Sequence, residues 1–186
     1  SLSFFVAVDK RAAAGAVLKY LNYWMVYWMV SRTVKGSKDA ERFLRVIFFA
    51  AVGVALIGVA AATGVFKYPG AFDGRQIMST LQYKNTLAAY LLVGNIIGIV
   101  LWTRRRGIVW PSIYGIGNYV LVLVIMSTQS RGGWVLYPVA FLGLLLGLPG
   151  RYSWRAVYNL MVSVSAGLLV GRWFIPRVFS GAGGSA

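Results

Sequence analysis

Two arginines in short connections are the residues of this chain best suited to do chemistry: Arg75 in Gly74-Arg75-Gln76 and Arg131 in Ser130-Arg131-Gly132-Gly133. A guanidinium binds phosphate oxygens bidentately and holds its charge at any physiological pH. Two of them at one lipid–water boundary suit a diphosphate leaving group, and loss of one comparable charge-stabilising donor costs roughly 3 kcal/mol. Arg131 is the more constrained. The polar run Ser127-Thr128-Gln129-Ser130-Arg131-Gly132-Gly133 separates two apolar segments with almost no room for a loop, so its guanidinium must sit close to the boundary. The glycines let the backbone turn tightly and let a substrate approach. Arg75, taken alone, reads as a solvated loop charge.

The elements that must position these arginines are membrane helices. Hydrophobic residues make up 59% of the chain and charged residues 12%, with a mean hydropathy of +0.69, far outside the range of a soluble domain. Apolar segments of roughly 20 residues, the length that crosses about 30 Å of hydrocarbon, recur between short polar connections. Strand-like alternation is missing, which argues against a β-barrel. The pattern predicts an all-α, polytopic helix bundle with six spans at about 12–31, 43–64, 85–103, 107–128, 133–149 and 156–174. The apolar stretch 2–8 reads as the tail of a further helix, and Gly181-Ala182-Gly183-Gly184-Ser185-Ala186 as flexible, so residues 175–186 are expected to begin an outer loop or linker. On this reading the chain is a fragment of a larger membrane protein.

Orientation follows from the basic residues. Arg32, Lys35, Lys38, Arg42 and Arg45 surround the first connection, Arg104, Arg105 and Arg106 form the third, and Arg151 and Arg155 flank the fifth, which places these three in the cytoplasm. The second and fourth connections, with Lys67, Arg75, Lys84 and Arg131, then face outward. The net charge of +15 would indicate nucleic acid in a soluble protein, but most of it is explained as anchoring beside anionic membrane lipids, and no nucleic acid partner is expected. The chain has no Cys and no His, which excludes disulfides, thiolate metal sites and the histidine- or cysteine-dependent triads. Its acids are Asp9, Asp39, Glu41 and Asp73, too few and too scattered for a metal cage or a glycosidase carboxylate pair, so neither metal nor cofactor is expected.

The connection at 67–84 contains turn chemistry in Tyr68-Pro69-Gly70 and Phe72-Asp73-Gly74 and is expected to be ordered. Lys84, Gln76, Tyr83 and Asn85 could supply donors beside Arg75, and Asn85 is also placed to cap the third span. Trp102, Trp110, Trp134, Trp154 and Trp173 fall where interface anchors belong. In the first span Tyr20, Tyr23, Trp24, Tyr27 and Trp28 recur at helical spacing, either to pack on neighbouring helices or to line a path for a polyprenyl tail or sugar. Lys19 in the same span can snorkel outward, where it is a candidate phosphate partner. Gly53, Gly58 and Gly64 are expected within the second span, where small residues permit close helix packing.

Two stretches carry a resemblance. Gly74-Arg75 with Ser79-Thr80-Leu81-Gln82-Tyr83-Lys84-Asn85-Thr86-Leu87-Ala88, followed by Ser127-Thr128-Gln129-Ser130-Arg131-Gly132-Gly133-Trp134, resembles the two signature regions of the O-antigen ligase and O-antigen polymerase family. The similarity covers residues about 43 to 174. It implies a metal-independent glycosyltransferase in the bacterial cytoplasmic (inner) membrane that moves a glycan from an undecaprenyl diphosphate carrier to a lipid or polysaccharide acceptor at the outer face. Arg75 and Arg131 would bind the diphosphate as catalytic residues, with Lys84, Asn85, Gln82, Ser130 and Lys19 as substrate-binding residues. Lys84 stands where the family usually has Pro, and Leu81 where it often has Phe. The family is expected to use a histidine from a large outer loop, which would begin near Pro176, so a chain without His is expected to be inactive alone.

Two other classes fit the same residues. A transporter or channel would use Lys19, Asn95, Asn118 and the outer arginines to line an anion path, and relatives of the family have been assigned to inorganic carbon uptake. Asn95 and Asn118 are also readable as simple interhelical hydrogen-bond partners, the commoner role of lone amides in membranes. A noncatalytic scaffold for envelope assembly would tolerate loss of both arginines.

Overall fold

The computed structural model describes residues 10–65, 69–72 and 76–181. Six helices account for nearly all of them: α1 (Lys10–Thr33), α2 (Ser37–Ala62), α3 (Lys84–Arg104), α4 (Val109–Ser127), α5 (Arg131–Gly147) and α6 (Gly150–Gly181). No strand occurs among the described residues; one isolated antiparallel bridge pairs Phe72 with Ile77. Each of the six expected segments falls largely within one helix. Of these helices α2, α3 and α4 are long and apolar enough to cross a membrane, and α5 is apolar but shorter.

One boundary differs clearly from expectation. Residues 175–181 continue α6, which runs through Pro176 to Gly181. Residues 182–186 lie outside the described ones, as does the apolar stretch 2–8.

The chain divides into two compact units, residues 1–43 and 44–186. In the first, α1 exposes Tyr20, Tyr23, Trp24, Tyr27 and Trp28. Their rings contact one another along the helix: Trp24 stacks on Trp28 at 6.5 Å, and Tyr20 meets Tyr23 edge-on at 6.2 Å. These ring contacts follow from the helical spacing of the aromatic residues along α1 itself.

In the second unit α3 is central, packing against α4, α5 and α6, while α4 also packs against α6. Its core is built from Phe48, Leu87, Leu91, Leu101, Tyr114, Leu121 and Val124, but what α6 turns inward is small or polar. The stripe that α6 buries is Ala156, Asn159, Ser163 and Gly167, whereas Tyr158, Met161, Val162, Leu168 and Leu169 are exposed. On α5 only Gly133 and Phe141 are buried, and Trp134, Val135, Leu136, Val139 and Leu142 point away. On α6, large apolar groups outside and small ones at the contacts match the way helices pack in lipid.

Close approach is achieved at glycines other than those expected. A Cβ on Gly94 would stand 2.6 Å from that of Ala51, and one on Gly98 or Gly117 would strike the Phe48 ring. Phe48 of α2 is thereby seated on α3 and α4 and meets Tyr114 edge-on at 5.5 Å. Gly53, in contrast, has open space beside it, and the atoms nearest Gly58 belong to Ile77 and Ser79 of the following connection. Gly64 lies just past the end of α2 with φ +76°, a left-handed turn residue outside the helix.

Candidate anion-binding site

The connection after α2 is folded onto the helices. Met78 and Ser79 both donate their backbone N–H to Ala71 O, at 2.8 and 2.9 Å, and the Ser79 hydroxyl donates to Val54 O at 2.6 Å. Ser79 begins a 3₁₀ turn (Ser79–Leu81) that ends on Gln82 in the left-handed region. The Gln82 side-chain amide then closes the loop by donating to Pro69 O at 3.0 Å. Ile77 N donates to Ser127 O at 3.3 Å, which ties this connection to the last residue of α4.

The second polar run makes a tight turn from α4 into α5. Ser127 and Thr128 return their hydroxyls to Leu123 O and Ile125 O, and Gln129 takes φ +50°. Ser130 then caps α5: it is extended, and its Oγ accepts from Gly133 N at 3.1 Å. The same hydroxyl donates to Asn85 Oδ1 of α3 at 2.9 Å. Asn85 is thus a bridge. Tyr83 occupies the N-cap of α3 and Lys84 is its first helical residue, so Asn85 sits two positions too deep to cap the helix.

The two motif regions therefore meet at one end of the bundle, where the first turns of α3 and α5 are drawn together; a Cβ on Gly133 would lie only 3.0 Å from that of Ala88. Each helix starts with a cation, Lys84 half-buried and Arg131 exposed. Arg131 makes no side-chain hydrogen bond or ion pair among the described residues. A helix N-terminus already carries partial positive charge, and a basic side chain there costs a few tenths to about 1 kcal/mol. Two such helix starts, pinned side by side, form an electropositive locus suited to an anion.

The remaining expected site residues are placed differently. Arg75 lies outside the described residues, although its near neighbour Ile77 is bonded to the α4–α5 turn. Lys19 belongs to the 1–43 unit, where it is exposed with its Nζ 5.9 Å from the centre of the Tyr23 ring. Gln82 and Ser130 have groups engaged in holding the loop and the cap.

A polar chain runs through the middle of the bundle; the sequence pointed to Asn95 and Asn118 as interhelical partners, but not to Tyr137 or Asn159. Tyr137 of α5 donates its hydroxyl to Asn95 Oδ1 at 2.6 Å, Asn95 Nδ2 lies 3.4 Å from Asn118 Oδ1, and Asn118 Nδ2 donates to Asn159 Oδ1 at 3.0 Å. Asn95 and Asn118 are fully buried and Asn159 is 4% exposed, so these amides join α3, α4, α5 and α6. Polarity is consequently not confined to one end of the bundle. The signal for Asn159 was its place in the small-residue stripe of α6.

No family model matches the chain, and neither a curated protein nor a solved structure matches it. Function rests on the geometry.

Proposed function

We propose that this chain belongs to a membrane glycosyltransferase of the O-antigen ligase or polymerase type. On this reading its six helices span the bacterial cytoplasmic membrane, and the end carrying Lys84 and Arg131 faces outward. Arg131 and Arg75 bind the diphosphate of an undecaprenyl-linked glycan and stabilise it as the leaving group while the glycan passes to a lipid or polysaccharide acceptor. One observation carries the reading: the Ser130–Asn85 bond joins two helix starts that each present a basic side chain. In a water-poor boundary such prearranged charge acts directly on the charge that develops in the transition state, with no metal required.

The buried amides bear on the transport alternative. An anion path needs donors open to a passing ion, and Asn95 and Asn118 are enclosed and bonded to each other. Their arrangement fits interhelical attachment better than conduction.

The test is to replace Arg75→Ala and Arg131→Ala separately in the whole protein and to follow consumption of the lipid-linked glycan in membranes. Both variants are expected to lose most of their turnover. Undiminished turnover in both would remove the diphosphate assignment and leave the scaffold reading.

A further inference from the structure

The opposite end of the bundle carries the connection Arg104, Arg105 and Arg106 and the start of α6. Between them lies a cavity of about 340 Å³ lined by Thr103, Arg104, Leu148, Pro149 and Tyr152. Arg151 stands beside it, its guanidinium over the Tyr152 ring at 4.7 Å and donating to the Tyr152 hydroxyl at 3.0 Å. We propose that this cavity holds the phosphate headgroup of an anionic phospholipid, gripped by Arg104 and Arg151.

The charge inventory leads to this occupant. Arg104, Arg106, Arg151 and Arg155 lie on or next to these helix ends, and the sequence has no Asp or Glu after Asp73. Arg104 has no side-chain hydrogen bond or ion pair among the described residues, so no carboxylate among them is paired with it. A helix C-terminus would normally repel an anion, because its last carbonyls carry partial negative charge. Here Arg155 covers them: its Nη1 donates to Thr103 O at 2.9 Å and its Nη2 to Arg105 O at 3.1 Å, with the guanidinium 5.2 Å from the centre of the Trp102 ring. The carbonyls beside the cavity are thereby neutralised, and the field of Arg104 and Arg151 is left to act on a ligand. Leu148 and Pro149 line the cavity beside the charged groups, which fits a headgroup continuing into acyl chains. Basic pockets between helices at a membrane surface take lipid phosphates in this way.

Native mass spectrometry of the whole chain, offered equal amounts of phosphatidylglycerol and phosphatidylcholine, reads the site without reference to glycan transfer. The chain is expected to retain phosphatidylglycerol preferentially, with the preference about fivefold weaker in Arg104→Gln and restored in Arg104→Lys. Arg172→Gln, which removes the same charge 22 residues along α6 from Gly150, is expected to keep the preference. Equal retention of both lipids, or equal loss in Arg104→Gln and Arg172→Gln, would overturn the proposal. So would equivalent occupancy by inorganic phosphate alone, which would make the cavity a soluble-anion site.

Discussion

Arg155 and Arg131 are the same residue type at opposite ends of one bundle, and their surroundings are electrostatic opposites. Arg155 reaches from α6 to the C-terminus of α3, where its charge matches the carbonyls it binds. Arg131 begins α5, where its charge adds to the positive end of the helix. The first arrangement lowers the energy of the fold by itself. The second raises it slightly unless an anion arrives. A cation that the protein satisfies internally is structural, and one held against its helix dipole is available for binding.

Four substitutions break or sharpen this contrast. The largest effect is expected from Arg131→Ala, which should lower glycan turnover by about a hundredfold, the usual cost of losing one oxyanion donor, while thermal stability stays within about 0.5 kcal/mol. A loss of stability as large as the loss of turnover would place Arg131 in the structural class with Arg155. Next, Arg155→Ala should destabilise the protein by about 2 kcal/mol, since it strips a charged partner from two carbonyls, and thermal unfolding in detergent measures it. No change there would mean that water serves those carbonyls equally well. Ser130→Ala removes both the α5 cap and the bridge to Asn85, for a loss of about 1 kcal/mol. Turnover should fall further than that stability loss explains if the bridge aligns the two helix starts. The smallest effect is expected from Lys84→Gln: a gain of a few tenths of a kcal/mol in stability, as a mismatched charge leaves the start of α3, together with weaker substrate binding. A drop in stability would show that Lys84 already has an internal partner and is no part of an anion site.

How much of this was legible in the sequence depended on whether the physics was local. The helices were, because a run of apolar residues long enough to cross hydrocarbon announces itself within its own length. The meeting of the two motif regions was legible only as order along the chain. The bond that joins them depends on where α3 starts: Tyr83 takes the cap, Lys84 is already helical, and Asn85 is left to turn its oxygen toward Ser130. Arg155 was readable as a cation near a helix end, but its partners lie 50 and 52 residues earlier. The rest of the amide chain was hidden for the same reason. Tyr137 and Asn159 are unremarkable one at a time, and only the rotation of four helices about their axes turns them toward Asn95 and Asn118. The glycine contacts show the limit of composition. Gly53 and Gly98 look alike in sequence, yet only Gly98 faces an aromatic ring from another helix.

The bond from Asn118 to Asn159 also has a place in time. The two residues are 41 positions apart, so at synthesis rates of about 5–20 residues per second, Asn118 is added to the chain several seconds before its partner exists. Throughout that interval α3 and α4 carry one amide and two terminal carbonyls awaiting α6. The last helix described is therefore the one that completes the earlier ones, and a nascent chain halted before Asn159 holds a bundle with its polar seam still open.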